Sequence, residues 1–238
     1  MSGSSRRLPL YPALALALCG SVAISSAQAD SKIGGVNQKE YRGAIGAPAG
    51  GAASPLYYAN DVFSGETVRT PDAGSTTLVF QDLTELSVGA SSTVVLDHFV
   101  YDPGSRTGDA SINFTKGIFR FVTGDIRNKA NVKLTTPTTS LTIRGTDFKV
   151  VVNDAGTIIQ VTKGAVEIKP CGGTAETRLV TPGQAVSVSP SCSVASVPLS
   201  SVPTDPATDG GGSDGGTKGH DPVTNGPSKG RGEGNNGG

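Results

Sequence analysis

Four aspartates and one histidine are the residues best suited by type to do chemistry. Asp97, Asp102, Asp109 and Asp125 all flank turn-forming stretches. Two of them meeting in a cleft would make the carboxylate pair of a hydrolase. Solvated turn residues are the stronger reading, because Asp favours turns. His98 follows Asp97 directly, and neighbours on a strand point to opposite faces, so these two do not form a dyad. The whole chain holds two His and three Cys, too few for a zinc cluster or a His-based triad. The loop at 101–109 lacks the spacing of an EF-hand. No glycine-rich turn opens a helix, so nucleotide binding has no support. No catalytic residue, metal ligand or cofactor is expected. Tyr57, Tyr58 and Tyr101 could stack on sugars; the other reading of them is packing at the ends of a domain.

Strands must position these residues, because the apolar pattern has period two. Phe148, Val150 and Val152 share one face, Asp154-Ala155-Gly156 supplies turn chemistry, and Ile159 and Val161 return on one face. The same alternation pairs Leu78 with Phe80, Leu86 with Val88, Val94 with Leu96 and Phe119 with Phe121. It continues through Val132 and Leu134, Leu141 and Ile143, Val166 and Ile168, and Val186 and Val188. No window shows helical spacing over three turns. The fold expected is all-β. It is one domain of about a dozen short strands, arranged as a twisted-sheet sandwich or a short solenoid-like stack. A weak echo, Thr115-Lys116-Gly117 against Thr162-Lys163-Gly164, fits either a repeat or a device recurring where strands end.

Composition divides the chain. Across 238 residues, Lys+Arg 20 balance Asp+Glu 20, which argues against a nucleic-acid binder held by phosphates. Residues 1–29 read as a cleavable signal peptide. Arg6 and Arg7 precede an apolar run, and Ala27-Gln28-Ala29 is a small-x-small site, so Asp30 is the expected first residue of the mature chain. No stable membrane span is expected after cleavage, and the location expected is periplasmic or extracellular. Residues 30–55 hold six Gly and five Ala and read as a linker. Residues 56–200 hold all seven Phe and form the expected domain. Residues 201–238 read as a disordered glycine-rich tail. The mature chain keeps Cys171 and Cys192, and an oxidising compartment favours a disulfide between them over two buried thiols.

The strand segments also carry a resemblance. Phe63-Ser64-Gly65-Glu66-Thr67-Val68-Arg69-Thr70 precedes Leu78-Val79-Phe80-Gln81-Asp82-Leu83-Thr84, and Leu86-Ser87-Val88-Gly89 follows. Then come Val95-Leu96-Asp97-His98-Phe99-Val100-Tyr101-Asp102-Pro103 and Lys116-Gly117-Ile118-Phe119-Arg120-Phe121-Val122-Thr123-Gly124. Thr136-Pro137 and Ile143-Arg144-Gly145-Thr146-Asp147-Phe148 complete the set. Together, over about residues 60–188, these resemble the FecR domain of bacterial cell-envelope proteins. The resemblance implies an extracytoplasmic, all-β, non-enzymatic protein. The best-known members couple an outer-membrane receptor to a cytoplasmic sigma factor through a transmembrane helix. This chain departs from that plan, since its apolar run reads as cleavable, so direct sigma-factor control is not implied. Gly145 permits a bulge or positive φ, from which Arg144 projects. Arg144 either meets a ligand or pairs with a neighbouring carboxylate, the second being favoured. The partner expected is an envelope protein, in signalling or scaffolding, with a cell-surface polysaccharide as the alternative and no nucleic acid.

Overall fold

A computed structural model describes residues 31–173 and 176–209. The leader (1–29) and most of the expected tail (210–238) lie outside the described residues. In chain order the first strands are β1 (Lys32–Val36), β2 (Ile45–Ala47), β3 (Ser54–Pro55), β4 (Asp61–Phe63), β5 (Glu66–Arg69) and β6 (Thr76–Phe80). β7 (Glu85–Val88), β8 (Thr93–Asp102), β9 (Thr107–Val122), β10 (Val132–Thr135), β11 (Thr139–Ile143) and β12 (Asp147–Asn153) follow. The last are β13 (Gly156–Lys163), β14 (Val166–Pro170), β15 (Arg178–Val180), β16 (Ala185–Val188) and β17 (Val194–Val197). The described residues thus hold 17 strands rather than about a dozen. The additional ones are mostly two to five residues long, too short to show a period.

The pairings resolve into two sheets. Sheet I runs β4-β1-β6-β7-β9-β12-β13-β16-β17. Sheet II runs β3-β2-β5-β8-β9-β10-β11-β14-β15. After β9 the chain lays down one hairpin in each sheet alternately: β10–β11, β12–β13, β14–β15, β16–β17. The architecture is therefore a two-sheet sandwich built by winding, which unites the two arrangements the alternation allowed.

β9 belongs to both sheets. Its first part pairs with β8 and β10 in sheet II, and its last part with β7 and β12 in sheet I. The switch is at Gly117, whose φ of +118° disfavours any L side chain and whose missing Cβ leaves room for Ser92. The kink sends Phe114 and Phe119 into the core from opposite sheets, with ring centroids 4.7 Å apart. Phe80 of sheet I stacks on Phe99 of sheet II at 4.9 Å. Gly164, the counterpart of Gly117 in the echo, stands where the chain passes from β13 in sheet I to β14 in sheet II. The echo is thus a sheet-switching device, used in opposite senses. The inner faces inferred from alternation are all buried, from Leu78 through Val188.

Residues 31–55, the described part of the stretch 30–55, do not form a linker. They supply β1, β2 and β3, and bury Ile33, Val36 and Ala44. Their small residues allow close approach rather than flexibility: a Cβ on Gly34 would strike the Val79 carbonyl. At the other end, residues 201–209 are described as well, with Val202, Asp205 and Thr208 buried, so the domain runs past the limit expected at 200.

Candidate functional site

The segment Ile143-Arg144-Gly145-Thr146-Asp147 is the crossover from sheet II to sheet I. Gly145 takes φ +68° with open space where a Cβ would stand, which turns the chain between layers. Thr146 is tied back to Thr123, whose N–H donates to the Thr146 carbonyl at 2.9 Å and whose hydroxyl accepts the Thr146 N–H at 2.9 Å. Arg144 projects from the corner, its side chain 64% exposed, and donates to Glu167 Oε2 at 2.8 Å. The ion pair is the structural one of its two readings.

Three residues on, the crossover reaches the outer face of sheet I. Asp147 is buried and takes a two-pronged hydrogen bond from Arg120, Nε to Oδ1 at 2.9 Å and Nη2 to Oδ2 at 2.8 Å. Such forked pairs are strong and directional. Arg120, Lys149 and Gln160 stand directly opposite one another on β9, β12 and β13. With Asp147, Thr162 and Thr208 they line a polar cavity of about 200 Å³. Its groups hydrogen-bond and bind charge; the chemistry they offer is recognition. Thr208 belongs to the segment after β17, which returns across sheet I and closes one side of the cavity.

The other sequence-derived candidates sit apart from this cavity. Asp102 accepts the Ser105 hydroxyl at 2.6 Å and the Gly104 N–H at 2.9 Å in the β8–β9 loop, and these bonds hold its carboxyl below the usual carboxylate range. Asp97 accepts the Ser111 hydroxyl at 3.4 Å. Asp109 faces His98 at 3.5 Å, and Asp125 pairs with Arg106 at 2.9 Å. Among the described residues no three of His, Cys, Asp and Glu gather to hold a metal.

Tyr57 and Tyr58 are each about half exposed, and Tyr57 packs its ring on Tyr41 at 4.7 Å. The neighbouring Leu56 binds Ala44, level with the start of β8. Tyr101 lies eight residues along that strand, roughly 26 Å away, and packs against the core. The structure does not bring these tyrosines together.

Cys171, after β14, is bonded to Cys192, in the turn between β16 and β17, with Cα atoms 5.1 Å apart. The bond joins the two sheets at their C-terminal end.

The cavity residues Arg120, Asp147, Lys149 and Gln160 escaped sequence reasoning because each is an ordinary outward polar residue of an alternating strand. One signal was present. Val150-Val151-Val152 and Ile158-Ile159 are apolar on both faces, the mark of a sheet covered on both sides.

Comparison with known proteins gives a family for the middle of the chain. Residues 66–167, from β5 into β14, match the family described as "FecR protein". Two crystal structures of a protein described as a "putative anti-sigma factor" from Parabacteroides distasonis ATCC 8503 superpose with a TM-score of 0.44 at 13% identity. Each match covers 56% of this chain and 59% of that one, so the chain spans little over half of that protein's length. No curated protein matches the chain. What the chain shares with the FecR family is this middle stretch, residues 66–167.

Proposed function

We propose that the protein is an exported, non-enzymatic FecR-type domain that binds a protein partner in the cell envelope, in a signalling or scaffolding role. The observation that carries this reading is the FecR match over residues 66–167, which takes in the crossover with Arg144 and the strands lining the cavity. The signal-like sequence at 1–29 supports export. Two physical routes to a partner are at hand. Strand addition can extend sheet I beyond β17 or sheet II beyond β15. Side-chain recognition can use the outer face of sheet I.

The test is affinity capture from intact cells. The tagged chain is expressed with its leader, cross-linked and recovered from the envelope fraction. A mature chain starting at Asp30, together with a stoichiometric envelope protein, is the expected result. Recovery of the uncleaved chain from the cytoplasm, or of the mature chain alone, would sink the reading.

A further inference from the structure

Ile118 on β9, Val151 on β12 and Ile158 on β13 stand directly opposite one another on the outer face of sheet I. Three branched aliphatics in a row on an outward face require a cover. The chain supplies one from its own C-terminal end. After β17 it turns at Leu199–Ser201 and runs back across the sheet towards β7 and β9. Val202 is 6% exposed and packs with Val151 and Ala185, against Ile118, Ile158 and Val197. This cluster is separate from the main core. Three residues further on, the Asp205 carboxylate accepts the Ala90 N–H at 2.8 Å, in the connection after β7. Its other oxygen accepts the Ala207 N–H at 2.8 Å. Lys149 Nζ donates to the Pro203 carbonyl at 3.4 Å. Val202 and Asp205, three positions apart, are thus two of the side chains that anchor the strap.

The strap under-fills the surface it covers. Ile118, Ile158 and Val197 stay only partly buried, and the cavity of about 200 Å³ stays open beside Thr208. A groove larger than its occupant, with an apolar row, an amide aimed at a carboxylate and a polar cavity, fits a longer segment of the same chemistry.

We propose that the Ile118–Val151–Ile158 row and the Ala90 amide form a docking groove for an extended segment of a partner protein that presents a branched aliphatic residue three positions before a carboxylate, and that residues 198–209 occupy this groove until such a segment displaces them. The inference rests on the protein-binding reading above and names the surface and the kind of partner. The covering strap lowers the apparent affinity for any competitor by the fraction of molecules in which it is open.

The experiment uses a fluorescein-labelled synthetic peptide of residues 198–209, titrated by anisotropy against the whole mature chain. Val202→Asp and Asp205→Asn each weaken the strap in the chain while the peptide keeps the native residues. Both variants are expected to bind the peptide about tenfold or more tighter than the unaltered chain does. A peptide carrying Asp at the position of Val202 is expected not to bind. Equal binding by all three chains, or none by variants that keep the β circular-dichroism spectrum, overturns the proposal. So does loss of the folded state in both variants, which would make the strap part of the core. Dimers in sedimentation, showing that straps exchange between copies, overturn it too. A chain whose variants bind the peptide but which captures no envelope protein keeps the groove and loses the signalling reading; the reverse result loses the groove alone.

Discussion

Adjacent residues of the Arg144–Asp147 crossover answer to different forces, and substitution separates them. Arg144 and Glu167 are exposed enough for water to screen their attraction, so Arg144→Ala is expected to cost under about 1 kcal/mol. Gly145 has room for a methyl group but sits at φ +68°, so Gly145→Ala carries only the left-handed strain of about 1–2 kcal/mol. Asp147→Ala removes the forked bond from a mostly buried guanidinium, at about 2–3 kcal/mol. Urea unfolding of the three variants checks the order. An Arg144→Ala chain as unstable as Asp147→Ala would show that the exposed ion pair has a structural role its geometry does not account for. An Arg144→Ala chain of normal stability that no longer captures its partner would place the guanidinium in the binding surface.

At the scale of elements, the sheets are tied together at one end by a covalent bond. Cys171 leaves β14 of sheet II and Cys192 precedes β17 of sheet I, 21 residues apart in sequence. Closing a loop of this length restricts the unfolded chain, and the double variant Cys171→Ser/Cys192→Ser is expected to lose about 3 kcal/mol. For a domain of this size that corresponds to a fall in Tm of about 8 °C. Thermal melts with and without reductant check it: reductant should lower the unaltered chain to the level of the double variant and leave the variant unmoved. Equal melting of all samples would mean that the bond constrains nothing. The strands it joins were legible, because alternation marks the inner faces of β14 and β16 through Val166, Ile168, Val186 and Val188. β15 and β17 were not, since an edge strand of three or four residues with a mostly open burial pattern has no face to mark. The strap was missed for a related reason. From residue 201 on, Pro203 and the polar residues around it read as tail, and only Val202 marks a place to bury.

At the scale of the whole molecule, period-two alternation reveals which side of a strand is buried but not which strand lies beside it. The sheet order depends on switches at Gly117, Gly145 and Gly164, each an ordinary turn glycine when read along the chain. The largest consequence falls at residues 30–55, whose six Gly and five Ala read as a spacer. In the structure β1 is an interior strand of sheet I, between β4 and β6, and β2 lies between β3 and β5 in sheet II. Gly34 pairs with Phe80 and Val36 with Leu78, so β1 covers the backbone edge of the strand that carries two core residues. A spacer can be removed without effect, whereas an interior strand cannot. Removal would leave β4 and β6 with unpaired backbone groups and would strip Ile33, Val36 and Ala44 from the core. Each buried aliphatic lost in this way costs about 2 kcal/mol or more, and the orphaned strand edges add to that. Together these losses approach the whole stability of an ordinary domain. A chain beginning at residue 56 is therefore expected to lose its cooperative melt and to bind a hydrophobic dye, while a chain beginning at Asp30 melts in one sharp transition. If the shorter chain melted within a few degrees of the longer one, β1 and β2 would not be part of the sandwich, and residues 30–55 would be the spacer that their composition implies.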